Sequence, residues 1–364
     1  MIPDTALLRT ESKNALFRNK ICGLHPLERN ILVLSRAGIK NLYLDLSPDE
    51  KAFYENHIKK HLKNLGDSII HENTSPPKGA SVYEIPTNAF LQIHYFNDPE
   101  RYFAGRKGLW TPQEGRDIFR LDTPTAFARG ARMAKETIIR NTGGFIAQKI
   151  NKRISIPISS LLANTRIHPN YLTIINMITG ILSAVFLLFN EYLYIVLGGL
   201  LFQTASVLDG VDGEVAKFTF KVSKIGGWLD TISDNMTLLL FLGAASYLFF
   251  INTLGYVPYI FIGLLFTGLL IMLSVMISFL HRHTDSASLV TYDKELLQKL
   301  PADDRIARLV LSLKYITKKE FFSIVFFLIS LTGMIYLIIP LASCILITAA
   351  FLLLYLSLKY RKRF

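Results

Sequence analysis

Polar and apolar positions are divided unevenly along the 364 residues of this chain. Residues 1 to about 160 mix the two kinds, whereas 170–359 carries long runs of Leu, Ile and Phe. A membrane-spanning helix takes about 20 mostly apolar residues. The stretches 170–189, 191–211, 228–250, 255–280, 320–338 and 340–359 meet that length, which predicts an α-helical polytopic membrane domain of six spans over 169–364. In the first part, HPLERNILVLSRAGIKNLYLDL (25–46) reads as a helix of period 3.6, a stop at Gly38 and a β-run from Asn41 to Leu46. A second helix is expected at about 48–64, and FRLDTPTAFARGARMAKE (119–136) offers a strand, Thr-Pro and a helix. These elements predict a small α/β cytoplasmic domain over 1–138. In the segment 139–168 that joins the two, Phe145, Ile146, Ile150, Ile154, Ile156, Ile158 and Leu161 alternate with Lys149, Lys152 and Arg153. That pattern predicts an amphipathic helix at the membrane interface, interrupted near Pro157, which serves equally as a linker between modules.

The formal charge of +12 suits a protein whose cytoplasmic face meets anionic lipid and anionic substrates. Nucleic acid would account for the charge but not for the hydropathy, so no nucleic-acid partner is expected. Lys and Arg also orient the spans. The connections 190–191, 251–254 and 339 hold none, whereas 212–227 holds Lys217, Lys221 and Lys224, and 281–319 and the last six residues are rich in both. Positive-inside bias then places both termini and the active site on the cytoplasmic side of the inner membrane. Cys22 and Cys344 fall in different modules, so neither a disulfide nor a cysteine metal site is read from them. The stretch MIPDTALLRTESKNALFRNK has no apolar core segment, and no cleavable signal is expected there.

Four aspartates stand out against this background: Asp209, Asp212, Asp230 and Asp234, within VLDGVDGEVAKFTFKVSKIGGWLDTISDNMT (207–237). A carboxylate near the bilayer costs roughly 3 kcal/mol unless something neutralises it. Spacings of three and four put each pair on one helical face, and Gly226 continues the Asp230–Asp234 stripe. Gly213 would let a ligand approach the backbone. Two carboxylate pairs facing each other at the inner interface are hard oxygen ligands, suited to Mg²⁺, Mn²⁺ or Ca²⁺. Two such cations on a diphosphate would neutralise the aspartates and activate phosphorus.

These residues resemble the signature of the CDP-alcohol phosphotransferase (CDP-alcohol phosphatidyltransferase) family, D-x2-D-G-x2-A-R-x8-G-x3-D-x3-D. The chain supplies Asp209, Asp212, Gly213, Ala216, Lys217, Gly226, Asp230 and Asp234 at every spacing, with Lys217 where the family has Arg. Lysine keeps the charge and loses the bidentate fork. The resemblance implies a two-metal site for Mg²⁺ or Mn²⁺, with Asp209, Asp212, Asp230 and Asp234 around it. Asp234 is implied as the base that takes a proton from the acceptor hydroxyl, whose oxygen attacks the β-phosphorus of a CDP-linked alcohol and releases CMP. Asp209, Gly213, Ala216, Lys217 and Gly226 are implied to line the nucleotide site. Pro169-Asn170-Tyr171-Leu172-Thr173 resembles the family's P-N-x-x-T, which adds Asn170 and Thr173 to that site, although Pro169 also simply suits a helix start. Gln203, Thr204 and Ser206 are further candidates for the same cleft, or for packing. Arg153, Arg166, Arg282, Arg305 and Lys319 are available for an acceptor phosphate, and each is also an ordinary positive-inside charge.

PLERNILVLSRAGIK and LDTPTAFARGARMA resemble segments of sugar-phosphate and polyol-phosphate nucleotidyltransferases. The glycine-rich phosphate loop of those enzymes and a clear acidic metal site are missing, which points to a degenerate nucleotidyltransferase-like, Rossmann-like domain with a structural or regulatory role. Asp122 is expected to cap the helix that follows it. Front and back together, including GGFIAQKINKRISIPISSLLANTRIHPN, the chain resembles the fused proteins related to di-myo-inositol-phosphate phosphate synthases, with Asn235 where a basic residue would be expected. That resemblance implies CDP-diacylglycerol or a similar CDP-lipid as donor, or a CDP-polyol. It also implies inositol phosphate or another polyol phosphate as acceptor, and a homodimer through the membrane helices. Two other classes compete. An ion pathway would also use intramembrane carboxylates, but these cluster at one face without an inverted repeat. A non-catalytic scaffold would not account for an intact set of four.

Overall fold

The computed structural model describes residues 3–11, 15–62, 65–72, 74–106, 108–115, 117–140, 142, 147–165, 167–283 and 319–359, except for the side chains of 15, 106, 147 and 276–283. The chain forms two compact units. One comprises Met1–Asn141, Pro157–Ile167 and Glu214–Lys221, and the other Thr142–Ile156, His168–Gly213 and Val222–Phe364.

The first unit is built on a six-stranded sheet: β1 (Thr5–Arg9), β2 (Asn41–Asp45), β3 (Ile69–Glu72), β4 (Val82–Pro86), β5 (Phe103–Arg106) and β6 (Leu109–Pro112), in the order β3-β2-β1-β4-β6-β5. All pairings are parallel except β5 with β6. TALLR and VYEIP are apolar on both faces because elements cover both sides of a parallel sheet. Helix α1 (Pro26–Arg36) begins with proline at its first turn and buries Ile31 and Leu34 against Leu8, Leu42 and Tyr83. It ends in a Schellman motif: Gly38, at φ +86°, donates to Ser35 O at 3.1 Å and Ile39 donates to Leu34 O at 3.1 Å. The expected second helix is shorter than 48–64. Helix α2 (Pro48–Phe53) gives way to a π-helical turn over Tyr54–Ile58 and a 3₁₀ turn over Lys59–His61. The expected strand near 119 is a single bridge, Ala89 to Arg120, because only the residues just after β4 pair with it. Helix α3 (Pro124–Arg140) follows. Its cap is Thr123, whose Oγ1 accepts from Ala126 N at 3.2 Å, while Asp122 accepts from Asn88 Nδ2. The expectation that Asp122 caps this helix is therefore corrected.

Helix α4 (Lys152–Asn164), preceded by a π-helical turn over Ala147–Asn151, runs through Pro157 without the expected interruption. A proline inside a helix deletes one hydrogen bond without forcing a break. The two compact units nonetheless divide at that proline.

The second unit is helical: α5 (Pro169–Leu187), α6 (Tyr192–Phe218), α7 (Lys224–Asn252), α8 (Val257–His283), α9 (Lys319–Ser330) and α10 (Ile338–Lys359). Among the described residues, five helices are long and apolar enough to cross a membrane: α5, α6, α7, α8 over Val257–Val275, and α10 with the turn before it. The stretch expected as the fifth of six spans, 320–338, is described as the 12-residue α9. It ends early because Gly333 takes φ +72° and a 3₁₀ turn over Ile335–Leu337 intervenes. Pro340 lies in the first turn of α10, where its missing N–H costs nothing. Helices α6 and α7 run further toward each other than expected, so the aspartates lie inside helices and only 219–223 connects them. Phe202, Phe241 and Phe326 stack at centroid distances of 4.0 and 5.6 Å, tying α6, α7 and α9 together. A side chain at Gly199 would fall 2.6 Å from Ser330 Cβ, so glycine lets α9 close on α6.

Candidate active site

Asp209 on α6 and Asp230 and Asp234 on α7 each present a carboxylate oxygen within 4.8 Å of the others. Asp212 is one turn further along α6, only 3% exposed, and turned to a different partner. Its Oδ2 accepts from Thr173 Oγ1 on α5, and its Oδ1 accepts from the Gly213 amide, each at 2.5 Å. Three aspartates thus converge, and the fourth joins α6 to α5.

Lys319, the first residue of α9, closes this group. Its Nζ pairs with Asp234 and lies 3.7 Å from Oδ1 of Asp209. The side chains of Lys319, Asp209 and Asp234 are 13%, 22% and 32% exposed. Asp209 Oδ1 is buried and makes no hydrogen bond. An inward carboxylate oxygen in that condition calls for a cation, and a cluster of carboxylate oxygens fits a hard divalent ion. In sequence, Lys319 was one of several inner-face cations, and nothing in its spacing linked it to the aspartates.

The nucleotide candidates lie close by. His168 Nδ1 accepts from Asn170 N at 3.3 Å, which starts α5. Asn170 Oδ1 would lie 3.2 Å from a Cβ at Gly226, whose amide donates to Ser223 Oγ at 2.9 Å as α7 begins. A Cβ at Gly213 would meet no described atom within 4 Å. Thr173 is buried and donates through Oγ1 to Asp212. Gln203 donates to Asn151 Oδ1 at 3.4 Å and Ser206 is buried beside the same residue, so both pack. Thr204 is exposed and bonds back to Leu200 O.

Ala216 and Lys217 close α6 in the stretch Glu214–Lys221, which groups with the sheet unit. Glu214, which the motif leaves unspecified, is 1% exposed and accepts from Ser159 Oγ at 2.6 Å. Of the acceptor candidates, Arg153 is exposed on α4. The side chain of Arg282, and the whole of Arg166 and Arg305, lie outside the described residues.

In an open α/β sheet, ligands bind beyond the carboxyl ends of the strands, where the order reverses. Here that place lies between β1 and β4, and the chain's own side chains bridge it. Glu50 accepts from Thr10 Oγ1 at 2.5 Å and from Thr87 Oγ1 at 3.1 Å. Burial pushes its carboxyl above the ordinary range, against the two hydroxyl bonds. Arg120 pairs with Glu11 at 2.6 Å and Glu114 at 2.5 Å, and Arg9 pairs with Asp45 at 2.8 Å and with Glu84.

Comparison with known proteins agrees with the site's chemistry. A bifunctional IPC transferase and DIPP synthase from Thermococcus kodakarensis is 34% identical over 201 residues, 54% of this chain and 43% of the relative. A protein of the same name from Archaeoglobus fulgidus is 38% identical over 167 residues, 46% of this chain and 31% of the relative. An archaetidylinositol phosphate synthase from Pyrococcus horikoshii is 38% identical over 93 residues, 24% of this chain and 47% of the relative. The aligned stretch covers less than half the length of each of these relatives. The family profile of the CDP-alcohol phosphatidyltransferases matches residues 166–357, which take in all four aspartates and Lys319, and the chain belongs to that family.

Proposed function

We propose that this chain is an integral membrane transferase that moves a substituted phosphate from a CDP-linked alcohol to an acceptor hydroxyl and releases CMP. The observation that carries this reading is the meeting of Asp209, Asp230 and Asp234 within 4.8 Å at the family's spacing. Asp209, Asp230 and Asp234 converge where divalent metal, Mg²⁺ or Mn²⁺ in a two-metal site, would be held, and Asp212 would join them by turning from Thr173. Bound there, the metal supplies charge neutralisation on the diphosphate and polarises phosphorus. Asp234 accepts the proton of the acceptor hydroxyl. The acceptor oxygen bonds to the β-phosphorus as the bond to the CMP oxygen breaks, and CMP leaves with the electron pair. Lys217, Gly213, Ala216, Gly226, Asn170 and Thr173 form the nucleotide side. Lys319 moves from its carboxylate partners to the anionic substrate, with Arg153, Arg282 and Arg305 as further acceptor cations.

The donor is CDP-diacylglycerol or a similar CDP-lipid, and the acceptor is inositol phosphate or another polyol phosphate. The names of the relatives support this choice, since one is an archaetidylinositol phosphate synthase. A CDP-polyol donor is the second reading, favoured by the DIPP synthase names. Residues 1–138 are a degenerate nucleotidyltransferase-like domain with a structural or regulatory role, 139–168 an interfacial helix and 169–364 the transferase domain. The distribution of Lys and Arg supports both termini and the site at the cytoplasmic face. The chain acts as a homodimer through its membrane helices.

CMP release by purified protein tests the reading. The assay supplies Mg²⁺ or Mn²⁺, CDP-diacylglycerol, and in turn inositol 1-phosphate, inositol, glycerol 3-phosphate and serine. Acceptor-dependent CMP names the reaction. Silence with every acceptor moves the test to CDP-polyol donors, and silence there leaves the non-catalytic scaffold.

A further inference from the structure

Helix α6, which carries Asp209 and Asp212, ends in the same motif as α1 but with an unsuitable residue. Lys221 donates to Ala216 O at 2.9 Å and Phe220 donates to Lys217 O at 3.4 Å, the two bonds of a Schellman end. The left-handed position belongs to Phe220, at φ +55°, where α1 has Gly38. A bulky side chain there is strained and persists only where its surroundings over-determine it.

The surroundings are α1 and the residues after β4. The Phe220 ring packs against the sheet core. Arg29 Cζ lies 5.7 Å from the Phe220 centroid and 5.1 Å from that of Phe90, so one guanidinium faces two rings. Arg36 Nη2 donates to Phe220 O at 3.3 Å. Arg29 is itself only 6% exposed, and its Nε makes no hydrogen bond. A buried guanidinium that leaves a donor unmade is a second unfavourable element at the same contact. Two costly features therefore converge on the last turn of α6. The carbonyls this arrangement secures belong to Ala216 and Lys217, the last pair of the motif's first half.

We infer that Phe220 is a positioning residue for donor binding: gripped by Arg29 and Arg36, it fixes the last turn of α6 and so the direction from which Lys217 meets the diphosphate. The inference rests on the CDP-alcohol reading above and deepens it. It gives α1 a task that uses no ligand of its own, namely to hold the last turn of α6.

The test compares wild type with Arg29→Met, Arg29→Lys and Phe220→Gly in the full chain. The readouts are donor KM, kcat for CMP release, and hydrogen exchange at the amides of Phe220 and Lys221. Arg29→Met should raise donor KM about tenfold with kcat within about twofold, and should speed exchange at those two amides. Arg29→Lys keeps a cation over the rings and should recover part of the loss. Phe220→Gly removes the strain along with the ring, so donor KM should rise while thermal stability does not fall in step; a purely structural role would move both together. Should Arg29→Met fail to fold, the other two variants carry the comparison. An active wild type with donor KM unchanged in all variants overturns the inference, as does a fall in kcat at constant KM. A wild type that releases no CMP from any donor takes down the CDP-alcohol reading and this inference with it.

Discussion

The hydroxyl of Thr173 donates to Oδ2 of Asp212, joining the start of α5 to the aspartate helix α6. Both residues are 3% exposed, so the bond is shielded from water and charge-assisted. Thr173→Val keeps the shape and deletes the donor, while the Gly213 amide still donates to Asp212. The expected outcome is a loss of about 1–3 kcal/mol in stability together with reduced CMP release. Thr173→Ser should lose much less. Thermal unfolding of the two variants side by side decides the matter.

Lys319 neutralises Asp234 and reaches toward Asp209, so removing it leaves inward carboxylates facing one another. Lys319→Met should destabilise metal-free protein by on the order of 2 kcal/mol, below the full buried-pair value because these groups keep some access to solvent. Added Mn²⁺ should restore most of that, making the metal-induced rise in Tm larger than in wild type. An equal rise in both proteins would show that the lysine does not share the cation's seat.

Asp234→Asn keeps the shape of the fourth aspartate and removes its basicity. On the proposed mechanism CMP release should fall by roughly 10²–10⁴-fold. Full activity would exclude Asp234 as the proton acceptor.

Burial holds the Glu50 carboxyl above its ordinary range, so the folded chain favours its protonated form. That contribution to stability is fully present below the unfolded pKa and is lost as pH rises through the folded one. Glu50→Gln should therefore stabilise the sheet unit at neutral pH, since an amide also fits between the rotatable hydroxyls of Thr10 and Thr87. The slope of Tm against pH above the carboxylate range should flatten; an unchanged slope would assign the effect elsewhere.

A Cβ at Gly180 on α5 would lie 2.8 Å from Thr237 Cβ on α7. Gly180→Ala should cost about 1–3 kcal/mol through overpacking, with part of it recovered by adding Thr237→Ala. Unfolding of the single and double variants measures the coupling.

Much of this was legible in the chain. Hydropathy placed α5 to α8, because a bilayer demands length and apolarity that a sequence displays directly. Gly38 ended α1 as read, because the left-handed position has a residue preference. Phe220 takes the same position against that preference, and only the rings and guanidinium around it explain why. The aspartate spacing showed which residues share a face, but not that Asp212 turns to Thr173 while the other three converge. Lys319 could not be found from spacing, since 85 residues separate it from Asp234 and tertiary packing, including the stacking of Phe202, Phe241 and Phe326, brings α9 to the aspartate helices. The strand expected at 119 failed because two residues of pairing beside β4 satisfy the local backbone without adding to the sheet.

Gly180 on α5 and Gly226 on α7 sit at successive levels of one helix pair, each facing the other helix. Contact at both points sets how near α7 can come to α5, and Thr173 fixes α6 to the same helix. Helix α5 thereby touches both of the helices that bear the carboxylates. On the proposed reading, discrimination between a smaller and a larger ion is then a property of backbone separation, so bulk added at either glycine would retune it with all four aspartates untouched.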